Sequence, residues 1–86
     1  SGQIDRLLVS DDHVTAIDFK SNAAVPELAK DTPEGLLRQM GAYQAALRQI
    51  YPDRRVNCAI LWTRTGQLMT LDDTHMRAAL ARTPTS

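Results

Sequence analysis

The 86-residue sequence has a single cysteine and no long apolar run. Cys58 cannot form an internal disulfide, and alone it cannot hold a cysteine zinc site or an iron–sulfur cluster. It lies in an apolar run, which predicts a buried thiol. No run reaches the roughly 20 apolar residues that span a membrane, and no signal peptide is visible. We therefore expect a cytoplasmic protein with no membrane partner.

The sequence also lacks net charge, with ten basic and ten acidic residues. This balance gives no support to a nucleic-acid partner, but local positive charge around an acidic metal site is compatible with one. Five arginines are candidates for such a patch: Arg38, Arg48, Arg54, Arg55 and Arg64. For any single one of them, an ordinary solvated side chain is the simpler interpretation.

Composition and patterning predict one small α/β (α+β) domain. Apolar residues make up 43% and charged residues 23%, as in globular folds. Apolar segments at 2–9 and 14–19, separated by a polar turn at 10–13, predict an antiparallel hairpin. The segment 56–63 is apolar on both alternations, which predicts a central strand covered on both faces. Residues 67–71 predict an edge strand, so the sheet is mixed and the order is β-β-α-β-β-α.

Two helices complete the pattern. Asp31 or Thr32 is a candidate cap for the first, with Pro33 at its first position. Its apolar stripe comprises Leu36, Met40, Tyr43, Leu47 and Ile50. Gly41 indicates close packing against the sheet, and Pro52 ends the helix. Asp72 or Asp73 is expected to cap the second helix, which runs to about residue 82, and residues 83–86 are expected to fray.

The hairpin carries the candidate chemistry. If it turns symmetrically about residues 11 and 12, paired residues have numbers that sum to 23. Asp5 then lies opposite Asp18, and Gln3 lies opposite Lys20. Opposed side chains share a face with Cβ atoms about 5 Å apart, and Lys20 shares the face of Asp18. One surface of the sheet would therefore carry two carboxylates and an amine.

Two opposed carboxylates repel, so they need a shared proton or a divalent cation. Oxygen ligands suit Mg²⁺ or Mn²⁺, and Lys20 adds a group able to contact a phosphate or an attacking water. Asp18 is flanked by apolar residues, where a charge needs a partner. The simpler alternative is a solvated face on which Lys20 pairs with Asp18.

Three ordered segments carry a family resemblance: GQID at 2–5, IDFK at 17–20 and QMGAY at 39–43. Together they resemble the PD-(D/E)XK nucleases, and more narrowly the RecB-type nuclease domain. The phrases GQIDRLLV, QMGAYQAAL and CAILWT are similar to the carboxy-terminal nuclease domain of the AddA helicase–nuclease subunits. The resemblance extends from Gly2 to about Leu71.

The resemblance implies a role for each matched residue. Asp5, Asp18 and the backbone carbonyl of Phe19 would bind the metal, and Lys20 would orient or activate the attacking water. Gln39 and Tyr43, one helical turn apart, would position the active site or the DNA. Their alternative role is structural, with Tyr43 in the core and Gln39 at its polar border.

The resemblance also implies a restriction-endonuclease-like fold in which a helix bearing a metal-contacting His or Glu precedes the first strand. Residues 1–86 lack such a helix, so we expect a truncated domain of a larger protein. The implied function is an exonuclease of an ATP-dependent helicase–nuclease in double-strand break repair, acting on DNA with an AddB-like partner subunit. The alternatives are a non-catalytic DNA-binding or subunit-docking module and, last, an unrelated α/β binding domain.

Overall fold

The computed structural model describes residues 4–82, which form one mixed sheet and two α-helices. The elements are β1 (Arg6–Val9), β2 (His13–Lys20), a 3-10 helix (Ala29–Asp31), α1 (Glu34–Ile50), β3 (Arg55–Trp62), β4 (Gln67–Thr70) and α2 (Asp73–Ala81). The strands lie in the order β1-β2-β3-β4, and only β2 and β3 are parallel. The predicted α/β class and element order are confirmed.

The hairpin has the register that the sequence predicted. Arg6 pairs with Ile17 and Val9 pairs with Val14, so paired numbers sum to 23. The backbone N–H of Ser10 donates to the carbonyl of His13 at 2.9 Å and closes the turn. The predicted first strand began at residue 2, but β1 begins at Arg6, and residues 1–3 lie outside the described range, as does the predicted tail at 83–86.

The predicted start of α1 is wrong in detail. Pro33 is the N-cap itself rather than the first helical residue, and no side chain caps the helix. The hydroxyl of Thr32 is buried and donates to Sδ of Met69 at 3.6 Å, so it is not available to the helix. The backbone carbonyl of Pro33 instead accepts from two N–H groups of the first turn, both at 3.0 Å.

The second helix begins as predicted and is tied to α1 by a polar network. Asp72 caps α2 by accepting the N–H of Thr74 at 2.9 Å. The buried amide of Gln44 donates to Oδ1 of Asp73 at 2.7 Å, and Arg48 donates to the other oxygen at 3.0 Å. These contacts fix α2 against α1. No helix within residues 4–82 is long and apolar enough to cross a membrane.

Both helices pack on one face of the sheet and enclose the core there. The core contains Val14, Ala16, Leu36, Leu37, Met40, Leu47, Val56, Cys58, Ile60, Trp62, Met69, Leu71, Met76 and Ala79. Gly41 does mark a close approach, but to α2 rather than to the sheet. A Cβ at that position would lie 3.1 Å from the carbonyl oxygen of Met76. Ile50, predicted as part of the apolar stripe, is 65% exposed.

The prediction that β3 is covered on both faces is wrong for the described part of the chain. On the face away from the helices, Leu8, Phe19 and Leu68 are all exposed. Ile17 and Ala59 are buried on this face because they lie in the two central strands, where neighbouring strands limit solvent access. The central position of β3 is confirmed, and so is the edge position of β4.

Candidate active site

Asp18 lies near the end of β2 on the face covered by the helices. Val14 and Ala16 precede it on that face and are fully buried, and Asp18 itself is only 3% exposed. Asp5 immediately precedes β1, and extending the observed register by one residue places it opposite Asp18. Two carboxylates that the sequence separates by 13 residues are therefore brought together.

The backbone of β2 determines how closely the two carboxylates approach. The N–H of Phe19 points toward β1, because it donates to Oδ2 of Asp5 at 2.8 Å. The carbonyl of Lys20 points the other way, accepting from Thr63 beyond β3. Alternate residues of a strand point to alternate edges, so Asp5 and Asp18 form a pair without backbone hydrogen bonds between them. In such pairs the Cα atoms are about 4.5 Å apart and the side chains are at their closest.

The same alternation positions the backbone of Phe19. In a strand, the N–H and the C=O of one residue point toward the same edge. Since the N–H of Phe19 meets Asp5, its carbonyl also faces the β1 edge. The family resemblance implied that this carbonyl is a metal ligand, and its direction is compatible with that role.

The surroundings shift the pKa values of the two carboxyls in opposite directions. The N–H of Phe19 lowers the pKa of Asp5, with smaller contributions from a hydrogen bond to Asp18 and from the charge of Lys20. Burial raises the pKa of Asp18, and the hydrogen bond to Asp5 raises it further, against the opposing effect of Lys20. Asp18 therefore holds its proton to a higher pH than Asp5 does.

Lys20 brings a positive charge to this pair. Its Nζ lies 3.0 Å from Oδ2 of Asp18, and its side chain is one-third exposed. The contact does not have the angles of a hydrogen bond, so the buried Oδ2 is left without a hydrogen-bond donor. An acceptor oxygen that is buried without a hydrogen-bond donor is costly, and a cation bound next to it, in addition to Lys20, would satisfy it.

Thr63 is a further residue at this end of the sheet, and no sequence pattern indicated it. Its N–H and its hydroxyl both donate to the carbonyl of Lys20, at 2.8 and 3.2 Å. These bonds extend the β2–β3 pairing and fix the backbone that carries the amine. A threonine after an apolar strand does not predict this contact from sequence, because the contact depends on β2 being the strand next to β3.

The oxygen atoms present suit a hard divalent cation. They are Oδ2 of Asp18, which has no hydrogen-bond donor, the opposed carboxylate of Asp5 and the carbonyl of Phe19. Within residues 4–82 no group of three His, Cys, Asp or Glu side chains could hold a metal. Mg²⁺ is commonly bound by one or two carboxylates and retains several waters, so a two-carboxylate set fits it.

Gln39 and Tyr43 lie on α1 and contact each other. The amide nitrogen of Gln39 donates to the hydroxyl of Tyr43 at 3.0 Å, and Tyr43 packs against the core. In the described range, neither side chain hydrogen-bonds to Asp5, Asp18 or Lys20. Their structural role, core and polar border, is visible in this geometry, and their role toward the site or the DNA stays a prediction.

His13 belongs to a separate cluster at the opposite end of β2, about 23 Å from Lys20 at roughly 3.3 Å per residue. Its Nδ1 lies 2.7 Å from Oδ1 of Asp12 and 2.9 Å from the hydroxyl of Ser10. A serine triad uses one ring nitrogen for the acid and the other for the nucleophile. Here both contacts fall on the same nitrogen, so the cluster is not a triad.

Comparison with known proteins agrees with the geometry of the hairpin. A search of curated proteins found no significant match, and neither did a search of solved structures. The family model of the PD-(D/E)XK nuclease superfamily matches residues 1–83, which include the whole described fold and both carboxylates. Since the match covers nearly all of the sequence, the chain belongs to the PD-(D/E)XK nuclease superfamily.

Proposed function

We propose that this nuclease domain hydrolyses DNA phosphodiester bonds with Mg²⁺ or Mn²⁺. In this proposal Asp5, Asp18 and the carbonyl of Phe19 hold the ion, and Lys20 assists the attacking water. The observation that carries it is the buried Oδ2 of Asp18, which has no hydrogen-bond donor although it faces Asp5 and Lys20. A purely structural carboxylate at this depth would have its acceptors satisfied.

The two carboxylates contribute differently. Asp5 is exposed and is kept ionised by the N–H of Phe19, so it offers an oxygen ligand at neutral pH. Asp18 is buried and needs positive charge nearby to lose its proton, which Lys20 supplies in part. A divalent cation bound there would polarise the phosphodiester and lower the pKa of a coordinated water.

Lys20 has the reach and the donors for a second role. Its ammonium has three N–H donors and no acceptor, and its contact with Asp18 lacks the angles of a hydrogen bond. The side chain is partly exposed, so a phosphate oxygen can approach it. A donor at this place stabilises the charge that develops on the phosphate during attack.

The larger protein to which this domain would belong is part of the same proposal. The phrases shared with the AddA-type nuclease domain support an exonuclease within an ATP-dependent helicase–nuclease of double-strand break repair, working with an AddB-like subunit. In that setting Gln39 and Tyr43 would position the active site or the DNA strand.

The direct test is Asp18→Ala, assayed for DNA cleavage with Mg²⁺, with Mn²⁺ and with EDTA. We expect cleavage to fall by at least about 100-fold, as when one group that stabilises the transition state is removed. Lys20→Ala should reduce cleavage as well. Asp11→Ala is the matched control, because Asp11 is an exposed carboxylate in the hairpin turn at the opposite end of β2. Wild-type cleavage by Asp18→Ala would refute the proposal.

A non-catalytic DNA-binding or docking module is the second candidate. The observation that favours it is the set of only two carboxylate side chains at the site within residues 4–82. Mn²⁺ is paramagnetic, so titrating it while recording NMR signals separates the two functions. Site-specific broadening at Asp5 and Asp18 supports the nuclease, whereas uniform or absent broadening favours the module.

A further inference from the structure

The five arginines that the sequence suggested as a nucleic-acid patch differ in whether they have a partner in the structure. Arg38 donates to Glu34 at 2.9 Å, and Arg48 donates to Asp73 at 3.0 Å. Arg54 lies over the ring of Tyr51, with 5.1 Å between its guanidinium carbon and the ring centroid. These three guanidinium groups support the fold and already have partners.

The remaining two, Arg55 and Arg64, are exposed and have no ion-pair partner among the described residues. They lie beyond opposite ends of the same strand. Arg55 opens β3 beside His13, whereas Arg64 lies in the turn that follows β3. Trp62, two residues before Arg64, is the register partner of Lys20. Of these two arginines, only Arg64 is therefore at the end of the sheet that carries the carboxylates.

The turn that carries Arg64 is fixed by several hydrogen bonds. The N–H groups of Thr65 and Gly66 both donate to the carbonyl of Trp62, at 3.2 and 2.8 Å. Gly66 has a φ of 73°, which a glycine adopts without strain. On the other side of Arg64, Thr63 is bonded twice to the carbonyl of Lys20. The backbone of Arg64 is thus connected to Lys20 through its neighbour Thr63.

We propose that Arg64 contacts a DNA phosphate and holds the strand across Lys20. This inference rests on the proposed nuclease function and deepens it by assigning a residue that binds the substrate. A chain with zero net charge has no overall attraction for DNA, and its site contains two carboxylates that repel phosphate. The guanidinium of Arg64, two residues beyond the register partner of Lys20, can supply the missing local charge, and its fork geometry suits phosphate oxygens.

The test compares Arg64→Ala with Arg55→Ala, which removes the same unpaired charge at the far end of β3. Binding of a fluorescein-labelled oligonucleotide is followed by anisotropy in EDTA, between about 50 and 200 mM KCl. We expect Arg64→Ala to bind at least about tenfold more weakly, as for loss of one charged hydrogen bond. The slope of log K against log salt should become shallower by about 0.7 to 0.9. Arg55→Ala should match the wild type.

Two more variants of Arg64 distinguish the effect of its charge from the effect of its side-chain length. Arg64→Lys should recover the salt slope because it restores the charge. Arg64→Gln keeps a long polar side chain without the charge and should behave like Arg64→Ala. Equal melting temperatures of all variants show that the turn is intact.

Several results would overturn the inference. They are wild-type binding by Arg64→Ala, equal losses in Arg64→Ala and Arg55→Ala, or no DNA binding by the wild type. Failure of the inference is distinguishable from failure of the proposed function. If Asp18→Ala abolishes cleavage but Arg64→Ala binds normally, only Arg64 is misassigned. If Arg64→Ala weakens binding but Asp18→Ala still cleaves, the error lies in the metal site.

Discussion

Asp5 and Asp18 face each other across the hairpin, and their different depths give them different protonation. Asp5 is exposed and accepts a backbone N–H, whereas Asp18 is buried beneath the helices. The pKa of Asp5 is therefore lowered and that of Asp18 is raised. At the residue scale, the two carboxyls therefore lose their protons in different pH ranges, and a bound cation would favour the ionised form of Asp18.

This asymmetry predicts how stability depends on pH without metal. The pKa of Asp18 in the folded state lies above its ordinary value of 3.8, so the folded protein binds more protons than the unfolded chain above that pH. Stability from Asp18 is thus lost as pH rises from 3.8 through the raised pKa. Asp5, with a lowered pKa, acts in the opposite sense and loses its contribution as pH falls below 3.8.

We expect Asp18→Asn in EDTA to gain stability relative to the wild type as pH rises from acid to neutral, because the amide carries no charge to desolvate. Thermal unfolding of both proteins across this pH range measures the effect. Adding Mn²⁺ at neutral pH should stabilise the wild type more than the variant. A difference between the two proteins that stays constant with pH would contradict this account.

The two glycines of α1 have the same local chemistry but different surroundings. Nothing lies within 4 Å of a Cβ built at Gly35, whereas one at Gly41 would lie 3.0 Å from Cδ1 of Leu80 and 3.1 Å from the carbonyl of Met76. The leucine can rotate away, but a backbone oxygen of α2 moves only with its helix. At the scale of the element, Gly41 sets how closely α1 and α2 pack.

The matched pair Gly35→Ala and Gly41→Ala tests this difference. We expect Gly35→Ala to raise the free energy of unfolding by about 0.5–1 kcal/mol, the usual gain for alanine in a helix. Gly41→Ala should lower it by about 1–2 kcal/mol, because overpacking outweighs that gain. Urea denaturation measures both changes. Equal stabilisation by the two substitutions would show that α2 can shift freely.

Cys58 can report unfolding of the whole molecule, because it lies on β3 and is fully buried against α1. Its thiol lies 3.5 Å from the carbonyl of Met40, and burial, with a contribution from the charge of Asp73, raises its pKa to about 12. The thiolate is the reactive form, so both burial and protonation protect Cys58 in the native state.

We expect a thiol reagent at about pH 8 to label Cys58 slowly in buffer, at a rate that rises with urea along the unfolding curve. The same chain fully unfolded in denaturant, where labelling is fast, is the control. Rapid labelling while circular dichroism stays native would mean that the region between β3 and α1 opens locally.

The sequence by itself determined the local pattern of this protein. The order of elements and the hairpin register followed from apolar alternation and turn residues, since a strand has a period of two and a slip of one residue would expose its buried face. That register was sufficient to place Asp5 opposite Asp18. The cap of α2 by Asp72 was also predictable, because it involves neighbouring residues only.

Only the tertiary structure decided the contacts between distant segments. The hydroxyl of Thr32 donates to Met69 instead of capping α1, and Gly41 packs against α2 rather than the sheet. Both helices pack on one face of the sheet. These contacts depend on which elements become neighbours, which local periodicity does not encode. For the same reason the sequence could name five arginines, but only the fold gave three of them partners and placed Arg64 two residues beyond the register partner of Lys20.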